Sequence, residues 1–299
     1  MNISEVDVEG FRGLKVNVKL KRINIVLGEN GSGKTSFLES IYLSTLFQSD
    51  MNDNDINTSL LYMLSSRGDL LSAFSTLSDS KVKLDDVTTQ LKRNNPYSLD
   101  VEINGERVAE ITVKSISLLE IQPVSMLLPI ARIEKRVRTR YSPLYISTLF
   151  ESSGNPEKIY SIARRKSKDK VRTDLEILQD EYGQYKLYYG TLPVYVMGRG
   201  LLKRELIKLA LMSSDILLID EIEDSLHPDL VMEILNDIKQ KEGVQVIFTT
   251  HVNEVVKMAE KVLNDSEAQV IYLSKAGYKT YKLSEISEFE KPLSWLGYV

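Results

Sequence analysis

The first fifty residues change from an alternating pattern to a continuously apolar one. Glu5–Gly10 and Lys15–Leu20 alternate apolar and polar side chains, which predicts a half-exposed hairpin around Gly10–Gly13. Ile23–Leu27 is a short apolar run rich in β-branched residues, typical of a strand buried at the centre of a sheet. A glycine-rich turn follows, and Ser36–Phe47 has the composition of a largely buried helix.

The middle of the chain has a less regular pattern. The apolar positions within Leu60–Leu64 and Leu70–Leu77 fit one or two helices that pack on a core. Tyr97–Val113 alternates on both sides of Asn104-Gly105, a pair that accepts the positive φ angles of a type I′ turn. This segment therefore predicts a hairpin, and Ser115–Ile121 predicts a further strand.

The last third of the chain alternates predicted strands with predicted helices. The strands are Tyr185–Tyr189, Asp215–Ile219 and Val244–Thr249, and the helices are Leu201–Met212, Leu230–Lys241 and Asn253–Leu263. Apolar strands that alternate with helices indicate a mainly parallel sheet covered on both faces. The sequence therefore predicts an α/β fold.

Composition narrows the chemistry that this fold can carry. The 299 residues include no Cys and two His, which excludes disulfides, Cys-ligated zinc, iron–sulfur clusters, thiol nucleophiles and His-rich metal sites. No apolar run approaches the roughly 18–20 residues that span a bilayer. The N-terminus has acidic residues where a signal peptide is basic. We therefore expect a cytoplasmic protein without membrane insertion.

The net charge of −4 conceals an uneven distribution. Residues 132–172 hold twelve Lys and Arg against four acids. A cluster of this kind is typical of a nucleic-acid surface, because phosphates are neutralised by Lys and Arg. Tyr141, Tyr145 and Tyr160 would add stacking surfaces for DNA bases. The alternative is a solvated face whose cations pair with acids elsewhere in the chain.

The glycine-rich turn matches the phosphate-binding pattern G-x-x-x-x-G-K-[ST] over Gly28–Thr35. Backbone N–H groups and the N-terminus of the following helix would cradle phosphates. Lys34 would neutralise the β- and γ-phosphates, and the Thr35 hydroxyl would bind Mg²⁺. The predicted nucleotide-binding residues are Asn30, Gly31, Ser32, Gly33, Lys34, Thr35 and Ser36, and the predicted cofactors are ATP and Mg²⁺.

Polar residues also follow two of the later apolar strands. Asp220 and Glu221 come directly after Ile216–Ile219, at the strand end where ligands of α/β proteins bind. Asp220 would hold Mg²⁺, and Glu221 would polarise the attacking water as a general base. His251 follows the next predicted strand, where its imidazole would donate to a γ-phosphate and sense its loss.

Together these motifs resemble the ABC-type ATPases of the RecF, SMC and OLD branch. The matching residues are Phe11-Arg12-Gly13, the phosphate-binding loop and its helix at Gly28–Ile41, the acidic strand and turn at Leu217–Pro228, and the switch segment Thr249–His251. The resemblance implies an ABC-ATPase-like head with an antiparallel β-subdomain and an inserted helical lobe. It also implies a single domain, with a nucleotide core at about 1–48 and 190–299 and a variable lobe at about 49–189.

The resemblance further implies an ATP-dependent homodimer that closes a signature motif over the partner's nucleotide. Val196–Gly200 occupies the signature position, with Gly198 and Gly200 matching and Val196 in place of the expected Ser. We expect Arg199, with the amides of Gly198 and Gly200, to supply the charge that closes the site. The alternative is that Arg199 lies on a degenerate surface loop.

Two further positions depend on the same resemblance. The Q-loop glutamine, a metal ligand in the family, corresponds to Gln122, and Gln48 is the rival position. His227 matches the family's Leu-His-Pro turn, where it would contact the dimer partner; a simple helix-capping role is the alternative.

The motifs and the resemblance lead to one expected function. We expect a Mg²⁺-dependent ATPase that acts as a dimer switch in DNA repair, DNA maintenance or genome defence, with DNA or a separate effector protein as its partner. The ATP-binding subunit of a membrane transporter is one alternative, although Val196–Gly200 differs from the tight Leu-Ser-Gly-Gly-Gln of that class. A nucleotide-gated adaptor that does not hydrolyse ATP is another.

Overall fold

The computed structural model describes residues 2–49, 51–65, 69–117, 125–137, 141–146 and 174–287, together with residues 157, 160, 161 and 164. The chain forms two compact units. The first contains Met1–Asn2, Lys21–Lys34 and Ser142–Val299, and the second contains Ile3–Leu20 and Thr35–Tyr141. The division into a nucleotide core and a variable lobe that the resemblance implies follows other boundaries and stays a prediction.

A six-stranded sheet forms the centre of the first unit. In spatial order its strands are β16 (Gly277–Tyr281), β15 (Ala268–Ser274), β3 (Ile23–Gly28), β14 (Gln245–Thr250), β13 (Ile216–Ile219) and β9 (Pro143–Ile146). The five strands from β15 to β9 run parallel, and β16 pairs antiparallel with β15. Every residue of β3, β14, β13 and β9 is buried, which explains their continuous apolar sequences. The predicted mainly parallel sheet is confirmed.

Helices and a small sheet complete the first unit. The helices are α4 (Arg199–Ser213), α5 (Pro228–Gln240), α6 (Asn253–Val262) and α7 (Leu283–Ser287), with a 3₁₀ turn at Val194–Val196. The small antiparallel sheet contains β10 (Leu175–Gln179), β11 (Tyr185–Tyr189) and β12 (Leu192–Pro193). The apolar stripe of α5, formed by Val231, Ile234, Leu235 and Ile238, is buried and repeats at helical spacing.

A seven-stranded antiparallel sheet forms most of the second unit. In spatial order its strands are β2 (Leu14–Lys19), β1 (Glu5–Phe11), β4 (Ser80–Leu84), β5 (Val87–Asn95), β6 (Ser98–Ile103), β7 (Glu106–Ser117) and β8 (Ser125–Ile133). The predicted hairpins β1–β2 and β6–β7 are confirmed, and Asn104 and Gly105 have positive φ angles of 51° and 83°. Ser115–Ile121 is not a separate strand, because Ser115–Ser117 continue β7 and the rest of the segment lies outside the described residues.

Three helices belong wholly or mainly to the second unit. Helix α1 (Lys34–Leu46) begins on the border between the units, and α2 (Asp53–Ser65) and α3 (Leu70–Ser75) confirm the predicted helices in this region. Within the part of the chain that the structure describes, no helix is both long and apolar enough to cross a membrane.

Candidate functional site

Three parallel strands bring the predicted site residues to one edge of the first unit's sheet. Strand β14 lies between β3 and β13. The phosphate-binding loop follows β3, His251 follows β14, and Asp220 and Glu221 follow β13. Because the carboxyl ends of parallel strands meet at one edge, these three segments form the candidate site.

The phosphate-binding loop has a backbone that depends on glycine. A Cβ atom on Gly28 would lie 2.2 Å from the carbonyl oxygen of Leu273. Gly31 and Gly33 have φ angles of 78° and 98°, a region that side chains disfavour. The Ser32 N–H donates to the Glu29 carbonyl at 3.2 Å, which closes the turn. The loop is therefore shaped by its glycines to bring backbone close to a ligand.

Lys34 is buried at the start of helix α1. Its Nζ donates to the carbonyl oxygens of Gly28 at 2.7 Å and Glu29 at 2.9 Å. Burial lowers the pKa of Lys34, while the charges of Glu221 and Asp220 raise it. Asp220 and Glu221 thus attract the ammonium group electrostatically, whereas its hydrogen bonds go to main-chain carbonyls.

A cavity of about 290 Å³ opens beside the loop. It is lined by Leu27, Gly28, Glu29, Asn30, His251, Asn253 and Tyr272. The Ser32 Oγ is buried and has no hydrogen-bond partner among the described residues, so a donor or acceptor in the loop is left to a ligand. This orphaned hydroxyl, the glycine-shaped backbone and the buried lysine fit a nucleotide's phosphates. Thr35 and Ser36 follow in α1 within the second unit, where Thr35 is partly exposed and Ser36 is buried.

One threonine, Thr249, contacts both of the acidic residues that follow β13. The Thr249 hydroxyl donates to Asp220 Oδ1 at 2.6 Å and accepts the Glu221 N–H at 2.7 Å. Thr249 is the penultimate residue of the buried strand β14 and is itself fully buried. It therefore fixes the Asp220 carboxylate and the Glu221 backbone relative to β14, a role that the sequence analysis did not assign to it.

Glu221 has the environment of a base. Its φ angle is 47°, so the chain turns sharply immediately after β13. Burial, and then the charge of Asp220, raise the pKa of Glu221, whereas His251 lowers it. A carboxylate with a raised pKa holds a proton more readily than an ordinary glutamate, as a general base requires.

Lys203 of helix α4 holds the loop that carries Glu221. Its Nζ donates to the carbonyl oxygens of Glu221 at 2.7 Å and Asp224 at 3.2 Å. The side chain is 6% exposed, and burial lowers its pKa against the opposing effect of the acids around it, beginning with Asp224. Lys203 was not predicted as a site residue, although a lysine within the apolar stripe of a helix indicates a buried charge with a specific role.

The signature residues lie at the start of helix α4. Gly198 is the N-cap residue, and Arg199 is exposed at the first helical position. A Cβ on Gly200 would lie 2.5 Å from the carbonyl oxygen of Ser225, so only glycine allows this approach between α4 and the loop. The proposed charge role of Arg199 stays a prediction.

The two histidines have different surroundings. The His251 N–H donates to Glu223 Oε1 at 3.1 Å, and its Nδ1 lies 3.1 Å from the same oxygen. His227 is the N-cap of helix α5, where its Nδ1 accepts the Asp229 N–H at 3.4 Å. The capping role is therefore observed for His227, and a dimer contact there stays a prediction.

Neither glutamine is brought to the candidate site by the described contacts. Gln122 lies outside the described residues. Gln48 is buried in the second unit, where its Nε2 donates to Ser44 Oγ at 3.2 Å. The assignment of the Q-loop stays a prediction for Gln122.

The Phe-Arg-Gly element belongs to the second unit. Arg12 has a φ angle of 49°, and its Nε donates to Glu39 Oε2 of helix α1 at 2.9 Å. The Arg12 guanidinium also donates to the Ala73 carbonyl at 3.0 Å. Because Glu39 is fully buried, this ion pair is part of the interior of the second unit.

The basic segment 132–172 is described only in part. Lys135 pairs with Glu106, and Arg136 pairs with Asp53 and donates to the Met51 carbonyl at 2.6 Å. Lys135 and Arg136 thus match the ion-paired alternative. Most of the other basic residues in the segment lie outside the described residues.

Comparisons with known proteins agree with this arrangement. A family profile described as "AAA domain, putative AbiEii toxin, Type IV TA system" matches residues 104–257, about half of the chain. A second profile, described as a protein of unknown function (DUF2813), matches residues 1–58.

Several curated relatives share the name "DNA replication and repair protein RecF". The chain is 30% identical over 138 residues to the "DNA replication and repair protein RecF" of Shewanella sp. (strain W3-18-1), a match that covers 43% of this chain and 33% of the relative. The RecF of Shewanella putrefaciens (strain CN-32 / ATCC BAA-453) matches with the same identity and coverage. The chain therefore spans about a third of the length of the curated relatives it matches.

Two solved structures with the same fold are SMC heads. The SMC head bound to the C-winged helix domain of ScpA has a TM-score of 0.50 and 12% identity, over 95% of this chain and 99% of that chain. The SMC head with an extended coiled coil, bound to the C-terminal domain of ScpA derived from Pyrococcus furiosus, has a TM-score of 0.50 and 11% identity, over 96% and 98%. At these identities the likeness concerns the fold, and the predicted ABC-ATPase-like fold class is confirmed.

Proposed function

Because the chain belongs to this AAA-domain family, among the RecF/SMC-like ABC-type P-loop ATPases, we propose that it binds and hydrolyses ATP and acts as a nucleotide-gated dimer switch. The observation that carries the proposal is the gathering of Lys34, Asp220, Glu221 and His251 at one edge of the parallel sheet. These residue types suffice for phosphate neutralisation, metal binding and activation of water.

Lys34 and the loop amides bind the phosphates in this proposal. The Lys34 ammonium exchanges its bonds to the Gly28 and Glu29 carbonyls for phosphate oxygens, and the unpartnered Ser32 hydroxyl adds a hydrogen bond. The Thr35 hydroxyl and the Asp220 carboxylate are the groups that would hold Mg²⁺, and Gln122 is a further candidate ligand. Mg²⁺ supplies positive charge that offsets the charge of the phosphates.

Glu221 activates the attacking water. Its raised pKa supports proton acceptance from water, and Lys203 and Thr249 fix its backbone so that the carboxylate has a defined position. His251 lies on the cavity wall beside Gly28 and Asn30, where its ring contacts the phosphate or the water.

A second copy of the chain closes the site in this proposal. The SMC-like fold supports this arrangement, and the exposed Arg199 between Gly198 and Gly200 is the group that would reach the partner's nucleotide. The test measures ATPase rate against protein concentration for the wild type and for Arg199→Ala. A rate per protomer that rises with concentration, and that falls in the variant, supports the dimer switch; an unchanged rate in Arg199→Ala overturns the role of Arg199.

DNA is the partner that the relatives favour. The RecF relatives are named for DNA replication and repair, which supports DNA as the ligand that stimulates turnover. Two of the described basic residues of segment 132–172, Lys135 and Arg136, are engaged in ion pairs, so the relatives, more than this segment, carry this part of the proposal. The family description, which names a toxin–antitoxin system, supports genome defence as the second setting, with an effector protein as partner. Either setting places the protein in the cytoplasm.

One experiment tests the central proposal. ATPase activity is measured with and without duplex DNA for the wild type, for Glu221→Gln and for Glu242→Gln, an exposed control position. We expect Glu221→Gln to lower kcat by about 10²–10⁴-fold with nucleotide binding retained, and Glu242→Gln to leave it unchanged. DNA should stimulate the wild type. Absence of turnover in the wild type would overturn the ATPase proposal, and turnover indifferent to DNA would overturn DNA as the partner.

A further inference from the structure

Glu223 contacts His251 at two atoms through a single carboxylate oxygen. Glu223 Oε1 accepts the His251 backbone N–H at 3.1 Å and lies 3.1 Å from the ring nitrogen Nδ1. One oxygen thereby binds both the main chain and the side chain of the same residue. This geometry restricts where the His251 ring can point.

The backbone that carries Glu223 is anchored to the sheet. The preceding residue, Ile222, is fully buried, and its N–H donates to the Thr249 carbonyl at 3.0 Å. Thr249 and His251 are two residues apart at the end of β14, so Glu223 and His251 are held by the same strand end. The contact between them therefore does not depend on two independent loops.

The second oxygen of Glu223 shows what orients the carboxylate. Oε2 is buried and has no hydrogen-bond partner among the described residues. A buried acceptor without a donor is energetically unfavourable, so the side chain is not placed to satisfy both of its oxygens. The contact of Oε1 with His251 is what this orientation achieves.

The chemistry of the two groups then decides where the imidazole proton lies. An ionised carboxylate only accepts hydrogen bonds, so a hydrogen bond from the His251 ring to Glu223 Oε1 requires the hydrogen on Nδ1. A neutral imidazole has one N–H, and with that hydrogen on Nδ1 the remaining nitrogen, Nε2, is an acceptor. His251 is 46% exposed and lines the cavity beside the phosphate-binding loop. Nε2 is the ring nitrogen left for a ligand there.

We propose that Glu223 is a positioning residue that holds His251 in the Nδ1–H form, so that the neutral ring offers an acceptor at Nε2. In that form His251 accepts a hydrogen bond, for example from the attacking water, and donates to a phosphate oxygen only after the ring is protonated. This refines the sequence interpretation of His251 as a donor to the γ-phosphate. Its mechanistic consequence rests on the proposed ATPase function, whereas the tautomer itself does not.

His227 provides an internal control. Its Nδ1 lies 3.4 Å from the Asp229 backbone nitrogen and 3.3 Å from Asp229 Oδ2, and neither contact involves Glu223. The chain has only these two histidines. The signal of His227 should therefore stay the same when Glu223 is replaced.

The test is ¹⁵N NMR of the full chain labelled at histidine, recorded at alkaline pH. Removal of His227 by His227→Gln assigns the two signals. We expect the Nδ1–H form for His251 in the wild type and no change at His227 in the Glu223 variants. Glu223→Ala should move His251 toward the Nε2–H form, and Glu223→Gln, whose amide oxygen still accepts, should retain the Nδ1–H form. An Nε2–H tautomer for His251 in the wild type, or no change in Glu223→Ala, would overturn the inference.

ATPase measurements separate this inference from the proposed function. Glu223→Ala should lower kcat by about 10-fold or more, and Glu223→Gln should recover part of that loss, because orientation of a catalytic imidazole depends on its carboxylate or amide partner. Wild-type protein with His251 in the Nδ1–H form but without turnover would overturn the ATPase function and leave the tautomer assignment standing. Active protein with His251 in the Nε2–H form would overturn the tautomer assignment and leave the ATPase function standing.

Discussion

The two units of the chain bury positive charge in opposite ways. In the first unit, the hydrogen bonds of Lys34 and Lys203 go to main-chain carbonyls, although Asp220, Glu221 and Glu223 act on both lysines electrostatically. In the second unit, the Arg12 guanidinium binds the fully buried Glu39 carboxylate directly at 2.9 Å.

This difference distinguishes a buried charge that stabilises the fold from a buried charge that can bind a ligand. A buried ion pair is strongly destabilised when one partner is removed, because the other charge stays buried without compensation. A lysine bound to carbonyls near a cavity can exchange those bonds for phosphate or water. The comparison therefore predicts that substitutions in the second unit change stability, whereas substitutions in the first unit change activity more than stability.

The largest expected effect on stability is that of Arg12→Met. The substitution removes the ion pair between Arg12 and the fully buried Glu39, and we expect a loss of about 3–5 kcal/mol in the free energy of unfolding. Urea unfolding followed by circular dichroism measures it. The double variant Arg12→Met/Glu39→Leu is the control and should recover most of the loss. A loss below about 1 kcal/mol for Arg12→Met, the range of exposed ion pairs, would remove the contrast between the units.

Lys203→Met should have the next largest effect. It removes the donor to the carbonyls of Glu221 and Asp224, and two unsatisfied acceptors near the base cost about 1–3 kcal/mol. Because the Glu221 backbone loses a hydrogen bond, kcat should fall by more than the affinity for ATP does. Lys208→Met, on the same helix, is the control. If Lys203→Met changed stability and left kcat unchanged, the lysine would be structural, as Arg12 is.

The same contrast explains which features could be predicted from the sequence. The phosphate-binding loop, Asp220, Glu221 and His251 follow buried strands whose apolar runs are evident in the sequence. The roles of Thr249, Lys203 and Glu223 arise from contacts between residues 18 to 29 positions apart, which no local pattern specifies.

Several strands were also missed for physical reasons. β4 is five residues long with alternating burial and two exposed lysines, and so resembles a polar linker. β8 contains Pro129, a residue that argues against a central strand and is tolerated here because β8 lies at the end of the described sheet order. β15 is apolar and buried over most of its length, but it was not predicted, because no recognised motif follows it.

Tyr42 tests whether buried polar groups of the second unit are also structural. Burial raises the pKa of Tyr42 to about 12, from an ordinary value of 10.0. The unfolded chain loses this proton from about pH 10, whereas the folded chain retains it, so the stability contributed by Tyr42 is present below pH 10 and is lost as the pH rises toward 12. Wild-type protein should therefore lose about 1.4 kcal/mol more than Tyr42→Phe between pH 8 and pH 11. Urea unfolding at both pH values checks this, with Tyr97→Phe, at an exposed position, as the control for loss of a hydroxyl.

Lys34→Met should change stability least among these variants and should abolish nucleotide binding. The carbonyls that it leaves belong to Gly28 and Glu29, which line the cavity, so water can replace the ammonium group and the cost should stay below about 1 kcal/mol. The stabilisation by ATP should disappear, whereas the wild type should gain about 2.7 kcal/mol at a ligand concentration 100 times Kd. Thermal unfolding with and without Mg·ATP measures both quantities. A loss of stability as large as that of Arg12→Met would mean that Lys34 supports the fold as Arg12 does, and retained stabilisation by ATP would mean that the phosphates bind elsewhere.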